Sequence, residues 1–285
     1  MHRRRAVRVW PAFALLSPGL LILASLVAAC AILLRYSFND WDPVRTMVPA
    51  WTAKNYLNLF LDPAQQRAAV TTLRISVIVT VACLFLGYPV ALAMTRAGRY
   101  RGLLVFLLVT PMLTDVLIRA YGWIVMLGSA GPVNAIMVGL RLWPAPRRLI
   151  YTEFSVVLEL IHEMVPFMVL PLTAVIERID PALRDAAMNL RASPLRSFLH
   201  VTLPLSLPGI LAGTLLVFAL SMSAFVAPLV LGGGNVTVMT VLMRQTMFAT
   251  LDWPRGAAQS VFLVGIVLVL LLFYRRALGG QRRTA

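Results

Sequence analysis

Charge, lysine, histidine and cysteine are all scarce in this 285-residue chain, and each scarcity removes a class of protein. Only 13% of the residues are charged and 60% are hydrophobic, with a mean hydropathy of +0.83. That balance excludes a soluble domain and indicates an all-α protein that crosses a membrane several times. The single lysine is Lys54, and Ala53 precedes it. A phosphate-binding loop needs Gly-Lys followed by Ser or Thr, so the chain has no such nucleotide site. His2, His162 and His200 are dispersed, which argues against a clustered metal site. Cys30 and Cys83 both fall in apolar runs and read as small buried hydrophobes, with no disulfide framework implied. A membrane-embedded enzyme is disfavoured because no nucleophile–base pair or metal cluster converges. No cofactor is implied.

Arginine is the exception to the scarcity. The formal net charge of +15 invites a nucleic-acid reading. The arginines, however, stand at the ends of apolar runs instead of lining one polar face, so that reading is rejected. Six runs are expected to span, roughly 13–34, 75–94, 103–127, 154–176, 205–231 and 257–274. Val27-Ala28-Ala29-Cys30 resembles a lipoprotein cleavage box, but its run continues through Leu34 and is long enough to cross about 30 Å of hydrocarbon uncleaved. Gly87 and Pro89 fall inside the second run, and Pro166 and Pro171 are expected to break the fourth. The stretch 35–69 carries Tyr36, Trp41, Trp51 and Tyr56, with Ser37 to Asp40 and Lys54 to Tyr56 suiting an exposed loop with interfacial aromatics.

Six spans put both termini on one side. Fifteen basic residues flank the spans on that side and nine lie in the three opposite loops. The positive-inside rule then makes both termini and the polar loop before the fifth run cytoplasmic. The expected organisation is a cytoplasmic N-terminus at 1–12, a transmembrane domain at 13–275 and a cytoplasmic tail at 276–285, with a polar interruption at 177–204.

That interruption organises the chain. Asp180 to Ile210 reads DPALRDAAMNLRASPLRSFLHVTLPLSLPGI. Asp180 is a natural N-cap and Pro181 suits the first helical turn. Ser193-Pro194 breaks the first helix. Leu195 to Val201 then forms a second, ended by Leu203-Pro204. Two short helices with a bend make a docking surface where a tether would need no structure.

This segment resembles the cytoplasmic coupling loop of permease subunits of bacterial ABC importers. That pattern is Glu-Ala-Ala, three residues, Gly, nine residues, an aliphatic residue, one residue and Leu-Pro. Here it reads Asp185-Ala186-Ala187, Arg191 in the glycine place, Val201, and Leu203-Pro204. Asp185 keeps the charge on a shorter side chain. Arg191 departs more, because glycine would allow a left-handed turn that arginine adopts only at a cost. Leu117 to Trp123, Pro166 to Leu172, Ala224 to Pro228 and Asp252-Trp253-Pro254 are similar to the spermidine/putrescine-type branch of these permeases. The resemblance implies a non-catalytic subunit that pairs with a second permease. It also implies an ATPase dimer bound beneath and an extracytoplasmic solute-binding protein that delivers a small solute, polyamine-like by branch. Asp185 is then the group that meets a basic residue of the ATPase, and Ala186 and Ala187 allow close packing.

Charges also occur within the runs. Asp115 and Arg119 are four apart in the third, and Glu159 and Glu163 share a face of the fourth with His162 beside them. Charges at membrane depth cost about 2.5–3.5 kcal/mol each on insertion scales, so they face partners or wet cavities. One reading has Asp115 and Arg119 neutralising each other, with the glutamates near the outer interface. The other has Glu159 and Glu163 lining a pathway that attracts a cation. These charges also support a rival function, a secondary transporter or channel without an ATPase. Against it, the sequence shows no pair of matching interrupted helices in its two halves.

Overall fold

A computed structural model describes residues 9–281, with side chains over 17–276. The basic residues between His2 and Arg8 and at Arg282 and Arg283 lie outside the described residues. In chain order the helices begin with α1 (Val9–Tyr36), α2 (Lys54–Leu61), α3 (Pro63–Arg96), α4 (Arg101–Leu113) and α5 (Val116–Leu127). They continue with α6 (Pro132–Gly139), α7 (Glu153–Ile176), α8 (Pro181–Asn189), α9 (Pro194–Ser197) and α10 (Leu203–Leu205). The last are α11 (Leu207–Ser223), α12 (Val226–Leu231), α13 (Met239–Phe248) and α14 (Trp253–Gln281). Among the described residues five stretches are long and apolar enough to cross a membrane, and the bent pair Pro194–Leu205 and Leu207–Ser223 makes six if it is taken as one span.

One compact unit contains residues 9–61 and Met243–Phe262. Its loop after α1 is more ordered than an exposed loop. Ser37, Asn39 and Asn55 are buried. The Asn55 amide donates to the carbonyls of Ser37 and Asn39 at 2.9 and 2.8 Å, and the Ser37 and Tyr56 hydroxyls lie 2.6 Å apart. Arg35 bonds Asn39 at 2.6 Å and stacks over Trp51. Ser37, Asn39 and Asn55 thus satisfy the turn's own backbone, which a folded loop must do, while Lys54, Trp41 and Trp51 keep the expected exposure.

The second unit holds Asp62–Leu242 and residues 263–281. Asp62 caps α3 by accepting from Ala64 N–H, with Pro63 at the first position. α3, α7 and α11 pack together at the centre, burying Val79, Cys83, Leu160, Met168, Leu172 and Val217. Close approach is set by glycine. An ideal Cβ on Gly213 would stand 2.7 Å from Met168 Sδ, and one on Gly209 would stand 3.2 Å from Leu172 Cα and the Pro171 carbonyl. Gly209 and Gly213 are four apart on α11, the small-residue spacing that lets membrane helices touch through their backbones.

Three expectations about the spans are corrected. The run 103–127 is not one helix: it divides at Thr114–Asp115 into α4 and α5, and the apolar stretch long enough to cross is Val116–Gly139. Pro166 and Pro171 do not break α7, which runs unbroken from Glu153 to Ile176. Neighbouring helices hold the freed backbone groups in place. The fifth run is also divided, at Ala224–Phe225 between α11 and α12. One apolar run is therefore interrupted in each half of the chain, at positions that the sequence reading took as continuous.

Candidate functional site

Both breaks leave backbone carbonyls without helical partners in an apolar setting. Each is met by a side chain. At the first, Asp115 is the N-cap of α5 and accepts from Leu117 N–H at 2.8 Å. Arg119 reaches back so that Nη1 donates to the Pro111 carbonyl at 2.7 Å, at the end of α4. At the second, the Thr240 hydroxyl donates to the Ala224 carbonyl at 2.7 Å.

The expected Asp115–Arg119 pair is not formed, because Asp115 is turned to its own helix end. Arg119 pairs with α7 instead. Its Nε donates to Glu159 Oε1 at 2.8 Å, and Nη2 lies 2.9 Å from Glu163 Oε1. The side chains of Arg119 and Glu159 are 6% and 0% exposed, while Glu163 keeps 26%. The triad is thus a buried cation between two carboxylates, formally one negative charge if both are ionised. His162 turns aside and packs edge-on against Trp123 at 5.7 Å. Glu163 lies ten residues into the 24-residue helix α7, about 15 Å along its axis. That is the middle of the candidate span Glu153–Ile176, and Glu159 lies six residues in, about 9 Å from its start.

Glu163 opens onto a cavity of about 280 Å³ where the two broken spans meet α7. Val116 comes from α5, Met164 from α7, and Leu220, Ser223, Phe225 and Val226 from the α11–α12 joint. The walls are otherwise apolar, with the Ser223 hydroxyl turned to the Leu220 carbonyl at 3.0 Å. An open apolar recess with one carboxylate suits a cation carried on a hydrocarbon frame. Sequence reasoning found the four charges but not the breaks that shape this cavity.

The polar interruption is a second exposed structure. Asp180 accepts from Ala182 N–H at 2.9 Å, and α8 follows as expected. The helix ends in two reversed hydrogen bonds, Arg191 N–H to Met188 O and Ala192 N–H to Ala187 O. This is a Schellman end, and its left-handed residue is Arg191, at φ 61°. The arginine therefore adopts the conformation for which the family pattern keeps glycine. Asp185 is exposed beside the exposed side chains of Leu183, Met188 and Leu190.

The second helix departs from expectation. Ser193 caps α9, but Leu203-Pro204 does not end the helical path. Phe198–Thr202 widens to a π turn, with Leu203 N–H bonded to Phe198 O, and α10 carries on through Pro204. Pro204 has no N–H and its ring crowds the carbonyl four residues back; the wider turn relieves both. The bend falls later, at Ser206, where the chain turns by 63° into α11.

Residues 46–279 match the family described as binding-protein-dependent transport system inner membrane component. The chain is 36% identical to the spermidine/putrescine transport system permease protein PotB of Haemophilus influenzae over 269 residues, covering 94% of this chain and 90% of the relative. It is also 36% identical to PotB of Escherichia coli over 242 residues, 85% of this chain and 88% of that one. Its fold is that of a chain in a bacterial ABC transporter involved in the import of the acidic polysaccharide alginate. The TM-score is 0.76, with 18% identity and 95% of each chain covered. A second structure of the alginate transporter, in complex with a pentasaccharide-bound periplasmic protein, aligns with a TM-score of 0.74 at 20% identity, over 94% and 93% of the chains. This chain belongs to the binding-protein-dependent inner membrane component family and is a multi-pass permease of an ABC importer.

Proposed function

We propose that the chain forms half of the translocation path for a polyamine-like cation, beside a second permease, and is driven by a separate ATPase. The observation that carries the solute is the mid-span Glu163, partly exposed in an otherwise apolar cavity. The 36% identity to spermidine/putrescine permeases across nearly the whole chain supports the same class. An ammonium pairs with the carboxylate while methylenes run along the apolar wall. Glu159 is the buried partner of Arg119 and stands behind the path, and Asp115 caps a helix.

The ATPase dimer docks on the loop 177–204. Asp185 offers a carboxylate to a basic residue there, the small Ala186 and Ala187 permit close approach, and Arg191 sets the angle of the following turn. Leu203 and Pro204 carry the movement of α9 into α11. ATP drives transport only by favouring one permease state over the other. The solute-binding protein delivers the cation on the opposite face, and both termini lie on the ATPase side.

The test is uptake of labelled spermidine and putrescine by proteoliposomes containing the complete importer. Glu163→Gln is expected to reduce uptake at least tenfold. Unchanged kinetics would remove the cation path. Copurification in mild detergent is expected to recover an ATPase and a second permease.

A further inference from the structure

The three nitrogens of Arg119 are not equivalent. Nε on Glu159 and Nη1 on the Pro111 carbonyl make directed hydrogen bonds of 2.8 and 2.7 Å. Nη2 lies 2.9 Å from Glu163 Oε1, yet it has no well-directed hydrogen-bond partner among the described residues. The two carboxylates divide in the same way. Glu159 is sealed off, whereas Glu163 is 26% exposed and lines the cavity. The carboxylate that the guanidinium holds without a directed hydrogen bond is therefore the one that a solute can reach.

We infer that Arg119 is a tethered competitor for the solute. While the cavity is empty, Nη2 holds Glu163. An arriving ammonium takes Glu163 over, and Nε and Nη1 stay on Glu159 and Pro111. An ammonium brings three N–H donors and no acceptor, so it satisfies the carboxylate as a guanidinium does. Neither carboxylate is left without a cation during the exchange, which matters because unpaired charge at membrane depth is expensive. Two consequences follow. Affinity is capped, since every solute must win Glu163 from Arg119. Release is assisted, since Arg119 is held within reach to take Glu163 back. A transport site has to bind well enough to be entered and loosely enough to be left. Arg119 acts through Glu163 and is a positioning residue that sets this strength.

The inference rests on the cation path proposed above, and the experiment separates the two. Labelled spermidine is bound by equilibrium dialysis to the purified importer without its solute-binding protein, and uptake is measured in proteoliposomes. The double variant Arg119→Gln with Glu159→Gln removes the competitor without leaving a sealed-off charge at Glu159, and the one carboxylate that loses its cation is Glu163, which faces the cavity. It is expected to bind spermidine about tenfold more tightly, equivalent to about 1.4 kcal/mol, and to transport it more slowly. A loss of structure alone would not raise affinity. Should that variant fail to fold, Arg119→Lys serves: a point charge drawn to buried Glu159 cannot also span to Glu163, and tighter binding is again expected. Unchanged or weaker binding in the folded variant overturns the tethered competitor. Unchanged binding in Glu163→Gln overturns the cation path itself. Weakened binding there without tightening in the double variant overturns this inference alone.

Discussion

Tyr88 and Ser206 stand 118 positions apart in sequence, and their hydroxyls meet at 2.7 Å in a buried site. Ser206 gives its own proton to the Leu203 carbonyl at 2.9 Å, so Tyr88 is the donor. The Tyr88 ring also packs edge-on against Phe198 in the π turn, at 5.5 Å. α3 is thereby pinned to the bend through which the exposed loop enters α11. Tyr88→Phe keeps the ring and removes one hydrogen bond. The expected cost in stability is about 1 kcal/mol, read as a modest fall in melting temperature. The larger effect expected is on coupling: more ATP hydrolysed per solute transported. An unchanged ratio would mean that the bend moves independently of α3.

Arg191 sits at φ 61° where glycine carries no steric penalty. Arg191→Gly is expected to stabilise the end of α8 by about 1 kcal/mol, and Arg191→Val to weaken it by more. Hydrogen exchange at the Ala192 amide, which closes the Schellman end, reads this directly. Exchange should slow in the first variant and quicken in the second. The opposite order would show that the arginine side chain holds the turn through contacts of its own.

Asp185 is exposed on α8. Asp185→Lys reverses the charge offered to the ATPase without touching the packed core. It is expected to leave the chain in the membrane and the ATPase active while uptake falls at least tenfold. Normal uptake by this variant would remove Asp185 from the docking surface.

Gly213 and Gly122 make a controlled pair. A Cβ on Gly213 would meet Met168 Sδ at 2.7 Å, whereas one on Gly122 meets nothing within 4 Å. Gly213→Val is expected to cost about 1–3 kcal/mol through overpacking between α11 and α7. Gly122→Ala should be neutral or slightly stabilising, since alanine orders a helix at less entropic cost than glycine. Thermal unfolding of the detergent-solubilised chain measures both. Equal losses would indicate that the two glycines serve the helix backbone and not the contact.

The sequence by itself determined that this is an all-α membrane chain and which family it joins. Apolar runs, arginines at their ends and the Asp185 to Pro204 spacing are all local, and the solvent preference of a run depends on its own composition. It also determined the cap at Asp180 and the left-handed demand at Arg191. Only the tertiary structure decided where helices break and which charges pair. Asp115 and Arg119 have the spacing of a helical pair, yet the chain breaks between Leu113 and Val116 and Asp115 caps the new helix. Arg119 then finds carboxylates forty residues and more away. Pro166 and Pro171 have the chemistry of breaks and make none, because a helix held on several sides tolerates lost hydrogen bonds. Thr114–Asp115 and Ala224–Phe225 contain no proline and do break, because Arg119 and Thr240 arrive from elsewhere to satisfy the carbonyls set free. Arg119 is eight residues from Pro111 and Thr240 sixteen from Ala224, and across these breaks neither separation is a helical or strand spacing that a sequence pattern records.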